Sequence, residues 1–271
     1  MAVLAGCYSA HPQEGAACAA GGLCPDPLVC MRGSCYEKGT VIADGPPDAF
    51  ECKAIGGSGG MVTAPFVTRA PVIDGDISDW QACFVTLDMA NNPYRDLGET
   101  TWPTGKFSIE HDASSIYLAI EVQGVLPLGD QPIPAIYEND SVSFYLDGDG
   151  VFTDNTYGAD GIQLVIDHAN RVQAFRTASV VTTPSITSAT TESGSTYTIE
   201  LAVTPATFGL QAFGDSIGID IGIEGGDGMK QTSEVMWYQA CELPLCGCKN
   251  GTTSAPYCDE REFGRAELSG P

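Results

Sequence analysis

Short segments in which apolar and polar residues alternate dominate the chain from about residue 64 onward. In the stretch IYENDSVSFYLDGDG, at 136–150, the residues Val142, Phe144 and Leu146 place an apolar side chain at every second position. Because successive side chains of an extended chain point to opposite faces of a sheet, this alternation predicts a strand that is half-buried on one face. Acidic residues crowd both ends of the strand, and their role is a separate question.

The same alternation predicts six further strands. They are FSIEH (107–111), SIYLAIEV (115–122), GIQLVID (161–167), RVQAFRT (171–177), YTIELAV (197–203) and SIGIDIGIE (216–224). Gly, Asn and Asp separate these segments, and no long stretch has helical periodicity, so the pattern predicts an all-β fold, an antiparallel, jelly-roll-like β-sandwich. The segment TPATFGL (204–210) is expected to form a short helix or turn at a corner of the sandwich.

The part of the chain before the alternating segments has a different composition. Residues 15–36 form a small cysteine-rich segment that is too short to bury a core, so we expect two disulfides to stabilise it. Its cysteines are Cys18, Cys24, Cys30 and Cys35. Three pairings remain open, and a zinc site is disfavoured because the segment has no CxxC pair. Residues 37–63 are rich in Gly and Pro and predict a linker, which leaves 64–271 for the sandwich.

The chain contains 11 cysteines, which indicates an oxidising compartment. The tetrapeptide LAGC near the start is similar to a bacterial lipobox, in which Cys7 would carry the lipid; residues 1–14 are assigned to this lipobox-like N-terminus. The six residues before Cys7 are too few for a signal peptide, so a signal would lie upstream, and a chance match is the alternative. We expect an exported protein, secreted or held at the cell surface or in the periplasm, whose sole membrane attachment is the lipid at Cys7. The remaining disulfide candidates are Cys52, Cys83, Cys241, Cys246, Cys248 and Cys258.

The charge of the chain limits its partners. Twelve basic and 35 acidic residues give a net charge of −23. A nucleic-acid partner is excluded because phosphate binding requires a stripe of Lys and Arg. The acidic excess suits either simple solubility or an environment outside the cell that is rich in calcium. We expect the protein to be a monomer.

Several stretches, taken in order, resemble one known family. They are APVIDGDISDW, HDASSIYLAIEV, YENDSVSFYLDGDG, STYTIELAVTPATFGL, GDSIGIDIGIEGGDG and EFGRAEL. This order is similar to that of the family 9 carbohydrate-binding modules, which are DOMON-like β-sandwiches, and the resemblance covers about residues 64–270. It implies a non-catalytic sugar-binding sandwich with structural calcium, of a kind often attached to glycoside hydrolases. The cysteine-rich segment resembles the stalks of bacterial surface lipoproteins.

The resemblance also implies where a sugar binds. The family stacks the sugar between two aromatic rings, and the matching positions are Tyr137 in YENDSV and Tyr257 in YCDEREFG. Where the family has a basic residue on the next strand, this chain offers Gln163 and Asp167. Trp102, in a loop, is a further candidate ring. The alternative is that each tyrosine is an ordinary loop residue.

The acidic residues at the end of the 140–147 strand suit a metal ion. Asp147, Asp149 and Asp154 in DGDGVFTD supply carboxylates at the first, third and eighth positions of a glycine-containing loop, a donor set that favours calcium. Asp74 and Asp76 in IDGD form a second candidate cluster. The alternative is that these Asp-Gly pairs only make turns.

Other functions are less well supported by the sequence. No HExxH motif is present, and we expect no catalytic residues. A haem-binding sandwich of a redox system, with His111, Met229 or Met236 as axial ligand, is one alternative. An accessory module of a glycoside hydrolase and a ligand-free adhesion protein are the others.

Overall fold

The computed structural model describes residues 24, 28–31, 34–37, 60–87, 93–96, 103–123, 129–152, 157–177, 179–227, 229–238, 260 and 263–270. The chain divides into two compact units, Met1–Ala49 and Phe50–Pro271. In the first unit, strands β1 (Leu28–Met31) and β2 (Ser34–Glu37) form an antiparallel pair in which Cys30 stands opposite Cys35. None of the helical turns in the described ranges is long and apolar enough to cross a bilayer.

The second unit contains two sheets. The larger, nine-stranded sheet comprises β3 (Met61–Ala64), β5 (Pro93–Asp96), β8 (Ser141–Asp147), β9 (Gly161–Asp167), β10 (Val172–Arg176), β11 (Ser179–Val181), β14 (Ser216–Gly226), β15 (Gln231–Met236) and β16 (Gly264–Leu268). The smaller, five-stranded sheet comprises β4 (Val85–Leu87), β6 (Thr104–His111), β7 (Ile116–Gln123), β12 (Thr187–Ser193) and β13 (Thr196–Val203). All strand pairs are antiparallel except β3 with β16 in the described part of the chain.

The strand order places the most apolar strands at the centre of each sheet. The larger sheet runs β11-β10-β9-β8-β14-β15-β5, with β16 and β3 added beside β14, and the smaller sheet runs β12-β13-β7-β6-β4. Alternate residues of both sheets meet in one core, which includes Phe107, Ile120, Phe144 and Ile221. The architecture is the predicted β-sandwich, and each of the seven predicted strands is present.

Strand β8 differs from its prediction in burial. The alternation of Val142, Phe144 and Leu146 predicts a strand exposed on one face, but all seven residues of β8 are buried. The core covers one face, and the 3₁₀ turn Ile136–Glu138 and neighbouring side chains cover the other. The outer face of β8 is therefore polar in sequence yet shielded from water.

Other elements lie outside the predicted ones. Strand β3 begins at Met61, three residues before the expected end of the linker at 63/64. A 3₁₀ turn at Pro205–Phe208 matches the short helix expected at 204–210. Besides β3, the strands without a counterpart among the sequence predictions are β1, β2, β4, β5, β11, β12, β15 and β16.

The segment DGDISDW packs on the outer face of the smaller sheet through a buried carboxylate. Glu200 of β13 is fully buried, and it accepts hydrogen bonds from Trp80 Nε1 at 2.6 Å and from the backbone N–H groups of Gly75 and Asp74 at 2.5 and 2.9 Å. Burial raises the pKa of Glu200, and these donors partly oppose the rise. The indole N–H of Trp80 thus ties this segment to the smaller sheet. Trp237 also packs against the core, with its ring 5.2 Å from that of Phe107.

Candidate functional site

A cavity of about 380 Å³ opens on the outer face of the larger sheet. Its volume lies within the range of small-molecule sites, about 300–1,000 Å³. The lining residues come from the loop before β8, from β8 to β11, and from β14 and β15. They are Pro134, Ala135, Tyr137, Tyr145, Gln163, Phe175, Val180, Glu224, Gln231 and Glu234.

Aromatic rings form one wall of the cavity. Tyr137 lies in the 3₁₀ turn before β8, and 37% of its surface is exposed. Its ring meets Phe175 of β10 edge to face, with centroids 6.0 Å apart and an interplanar angle of 73°. Phe175 is buried, so it backs Tyr137 and leaves the tyrosine ring accessible at the mouth. The pair provides an apolar surface beside a water-accessible space.

The floor of the cavity is a network of polar side chains on adjacent strands. Gln163 of β9 donates a 3.1 Å hydrogen bond to Ser143 Oγ, and Ser143 donates in turn to Glu224 Oε1. Gln231 of β15 donates to Glu224 Oε2. These side chains are all buried, so the polar groups are held in place by one another.

A second carboxylate lies beside the first. Glu234 of β15 stands opposite Glu224 of β14 in the antiparallel register. It accepts a 3.2 Å hydrogen bond from the hydroxyl of Tyr145. Burial, followed by the charges of Glu234 and Glu224, raises the pKa of Tyr145 well above its usual value, so its hydroxyl stays protonated and donates.

The loop that carries Tyr137 is tied to the sheet by Asn139. Its side-chain oxygen accepts a 2.9 Å hydrogen bond from the N–H of Gln131, and its amide nitrogen lies 3.2 Å from both Gln131 O and Asp167 Oδ2. Asp167 also pairs with Arg171 Nε at 2.7 Å. Asp167 therefore supports the loop, and it is not among the described residues that line the cavity.

An acidic cluster lies at the end of β8. One carboxylate oxygen from each of Asp147, Asp149 and Asp160 lies within 4.8 Å of the others. Asp147 is 1% exposed, and its Oδ2 has no hydrogen-bond donor among the described residues. Burial, together with the charges of Glu260, Asp149 and Asp160, raises the pKa of Asp147 to about 7. The three carboxylates converge on one small volume without a cationic side chain at hydrogen-bonding distance in the described residues.

The chain matches the family described as "Carbohydrate family 9 binding domain-like" over residues 73–270, well over half of its length. The chain belongs to this family. The match includes every strand of the sandwich except β3, and it includes the cavity and the acidic cluster. No curated protein sequence matches the chain.

Solved structures of this fold include members of family 9. A carbohydrate-binding module of family 9 from Caldicellulosiruptor kristjanssonii in complex with cellotriose aligns with a TM-score of 0.60 and 17% identity, over 78% of this chain and 94% of that one. A complex of such a module from the same organism with glucose aligns with a TM-score of 0.55, 17% identity and coverages of 78% and 96%. A protein from Bacteroides uniformis, described as a putative carbohydrate-binding protein, has a TM-score of 0.54, 14% identity and coverages of 78% and 100%.

The structure brings together some of the residues that the family resemblance indicates. Tyr137 and Gln163 both line the cavity. Tyr257 and Trp102 lie outside the described residues, so the clamp of two rings stays a prediction. Sequence reasoning missed Phe175, Glu224 and Glu234 as site residues. Phe175 and Glu224 stand at outer positions of the predicted strands β10 and β14, which was the available signal, whereas Glu234 lies on β15, a strand without a counterpart among the sequence predictions.

The residues predicted to bind a metal ion do not all lie together in the structure. Asp147 and Asp149 lie in the acidic cluster, whose third member is Asp160, whereas Asp154 lies outside the described residues. Asp74 Oδ1 accepts the N–H of Asp76 at 3.0 Å, and Asp76 Oδ1 accepts the N–H of Ser78 at 3.0 Å. Asp74 and Asp76 therefore form turns, which was the alternative interpretation.

The remaining candidates fall on different parts of the molecule. Both nitrogens of His111 contact backbone carbonyls, Nε2 at 2.9 Å from Ser269 O and Nδ1 at 3.3 Å from Asp112 O. Met236 is fully buried and Met229 is exposed. Cys24 and Cys83 are disulfide-bonded. The lipidation candidate Cys7, together with Cys18, Cys52, Cys241, Cys246, Cys248 and Cys258, lies outside the described residues.

Proposed function

We propose that this protein binds carbohydrate in the cavity on the outer face of the larger sheet. The observation that carries the proposal is the combination of an accessible ring, Tyr137, with a buried polar floor that contains Gln163 and Glu224. The C–H face of a pyranose stacks on an aromatic ring, and its hydroxyls need fixed polar partners at the edge. The complexes of similar folds with cellotriose and glucose support the same interpretation.

Tyr137 supplies the stacking surface in this proposal. Its ring packs against the ring of Phe175 in a T-shaped contact, so little ordering is required when a sugar binds. Tyr257 is proposed as the second ring of a clamp, and Trp102 as a further contact, from their sequence positions alone. Gln163 accepts and donates at the sugar edge, where the family has a basic residue.

The test is binding to a glycan array, followed by isothermal titration calorimetry with the sugars that bind. Replacement of Tyr137 by Ala should weaken binding about fivefold to thirtyfold, because one stacking surface contributes on the order of 1 to 2 kcal/mol. Tyr137→Phe is the matched control, since it keeps the ring and should retain most of the affinity. Unchanged affinity in Tyr137→Ala would refute the proposed site.

The acidic cluster at the end of β8 is proposed as a structural calcium site. Its donors are all oxygens, and one of them, Asp147 Oδ2, is buried without a hydrogen-bond donor among the described residues. Two oxygens on opposite sides of a calcium ion lie about 5 Å apart, because each Ca–O distance is about 2.4 Å. The three oxygens lie within 4.8 Å of one another, which is close enough for one ion to contact all three. Bound calcium would neutralise the crowded carboxylates and hold the loop after β8.

The wider role proposed is that of an exported, non-catalytic binding protein with a lipid anchor at Cys7. The support for export is the cysteine content and the disulfides of Cys24 and Cys83. The support for a non-catalytic role is that Glu224 and Glu234 accept hydrogen bonds from neighbouring side chains, which fits a binding floor. Hydrolysis assays on the polysaccharides that bind would detect an enzymatic role.

A further inference from the structure

A row of side chains crosses the outer face of the larger sheet from its edge toward its centre. Val180 of the edge strand β11 stands directly opposite Phe175 of β10, and Phe175 stands opposite Gln163 of β9. Gln163 in turn stands opposite Tyr145 of β8. Directly opposed residues of neighbouring strands project from the same face of a sheet. All of these side chains line the cavity, so the row runs through it.

The chemical character of the lining changes along this row. Toward the centre of the sheet, Gln163 donates to Ser143 Oγ and the hydroxyl of Tyr145 donates to Glu234. Toward the edge, Val180 and Phe175 present only carbon and hydrogen atoms. We call Val180, Phe175 and the ring of Tyr137 that packs on Phe175 the apolar end of the cavity. Pro134 and Ala135, just before the turn that carries Tyr137, add further apolar lining.

The apolar end is accessible to a ligand. Val180 is 54% exposed and Tyr137 is 37% exposed, although both line the cavity. Removing such apolar surface from water is favourable, and apolar lining beside a few fixed polar groups is typical of small-molecule sites. A sugar hydroxyl placed against Val180 would lose water without gaining a partner from that side chain, which is costly. The part of a ligand that fits here is therefore one without polar atoms.

We propose that the apolar end binds an apolar substituent of the sugar, while the ring and its hydroxyls occupy the polar part of the cavity. This inference rests on the proposed carbohydrate-binding function and concerns the ligand class of the same site. The substituent is the methyl of an acetyl group or an aryl group linked to the sugar, since both present C–H surface. A sugar without such a group leaves Val180 in water and gains nothing from it.

The test is calorimetric titration of the wild-type protein with glucose, N-acetylglucosamine and phenyl β-glucoside. Burial of a methyl group should make N-acetylglucosamine bind about fourfold more tightly than glucose, and burial of an aryl ring should make phenyl β-glucoside bind about tenfold more tightly. A preference for either substituted sugar supports the inference and identifies the substituent.

The contrary outcomes separate this inference from the proposed function. Glucose that binds as tightly as both substituted sugars overturns the inference and leaves the proposed function standing. If none of the three binds, the inference is overturned, and the glycan array decides the proposed function separately.

A variant at the sheet edge tests whether the apolar end is responsible. Val180→Ser replaces both methyl groups by one hydroxyl and should reduce the preference for the substituted sugar over glucose to about twofold or less. Val72→Ser is the matched control, because Val72 is 59% exposed and does not line the cavity, so the preference should be preserved. Circular dichroism checks the folding of both variants. An unchanged preference in folded Val180→Ser overturns the inference, and if that variant does not fold, the wild-type comparison decides alone.

Discussion

Asn139 donates a 3.2 Å hydrogen bond from Nδ2 to Oδ2 of Asp167, and both side chains are fully buried. Asn139 ends the turn that carries Tyr137, and Asp167 ends β9. The bond fixes the aromatic wall of the cavity to the sheet that forms its floor. A binding site gains affinity when its loop is ordered before the ligand arrives, because the ordering cost is then not part of binding.

Asn139 does not line the cavity, but Asn139→Ala should still weaken sugar binding because the loop that carries Tyr137 loses its tie to the sheet. We expect the affinity for a bound sugar to fall about tenfold and the free energy of unfolding to fall by about 1 to 2 kcal/mol, because the buried partners lose their hydrogen bonds. Calorimetry and urea denaturation measure the two effects. Gln123→Ala, at an exposed position of β7, is the control and should change neither. Full affinity in a folded Asn139→Ala protein would contradict this role.

The central strands could be predicted from the sequence because one face of each is continuously apolar. In β8 and β14, apolar side chains at every second position enter the shared core, and Phe144 stands opposite Ile221 across the two strands. The burial of the opposite face could not be predicted. Ser143 and Glu224 look solvent-exposed in a pattern of alternation, and only the packing around the cavity shows that they are buried.

Two of the strands that the sequence did not predict lack a continuous apolar face. Strand β12, TSATTES, lies at an edge of the smaller sheet, and its side chains are mostly partly or fully exposed. Strand β15, QTSEVM, is buried on both sides, but Gln231 and Glu234 face the cavity and interrupt the apolar pattern. Such strands are specified by their neighbours in the sheet, which local alternation does not reveal.

The site was partly predictable for a related reason. Tyr137 and Gln163 were found because ordered motifs placed them, whereas Glu234 and Phe175 lie in segments without a recognised motif. Asp160 was missed as a member of the acidic cluster because it is 13 residues from Asp147 in the chain. It directly precedes β9, and the pairing of β9 with β8 places it beside Asp147. Proximity between loops depends on strand pairing, which sequence spacing alone does not fix.

The two acidic segments that suggested calcium can be distinguished by experiment. If calcium binds at Asp147, Asp149 and Asp160, calcium should raise the midpoint of thermal unfolding of the wild-type protein, and a chelator should lower it again. Asp149→Asn should remove most of this difference, because the negative charge and one of the two side-chain oxygens are lost. Differential scanning fluorimetry with calcium or chelator measures the midpoint.

Asp76→Asn is the matched control for the calcium experiment. Asp76 accepts the N–H of Ser78 in a turn, and Asn can make the same bond, so the calcium response should match that of the wild type. A calcium response lost in Asp76→Asn but kept in Asp149→Asn would place the ion at the other segment. A wild-type midpoint that does not respond to chelator would refute the calcium proposal.

His168 links the turn after β9 to two other segments in a manner that depends on pH. Its Nδ1 lies 2.5 Å from Glu192 Oε1 of β12, and its Nε2 lies 3.2 Å from Gly129 O. Both partners are acceptors, so a doubly protonated ring satisfies both. Burial lowers the pKa of His168, but the contacts with Glu192 and Gly129 and the charge of Asp167 outweigh it, and the net pKa is raised above 6.5.

The raised pKa gives the sign of the effect on stability. Since folding favours the protonated ring, its contribution is complete below about pH 6.5 and is lost as the pH rises through the folded-state pKa. We expect a loss on the order of 0.5 kcal/mol, because Glu192 is about half exposed and water screens the pair. Urea denaturation at pH values below and above about 6.5 measures the difference in the free energy of unfolding between the wild type and His168→Gln. Glu192→Gln should lose most of the same dependence, because the raised pKa requires its carboxylate. A wild-type protein whose stability relative to His168→Gln increases toward alkaline pH would show that the ring is held neutral in the folded state.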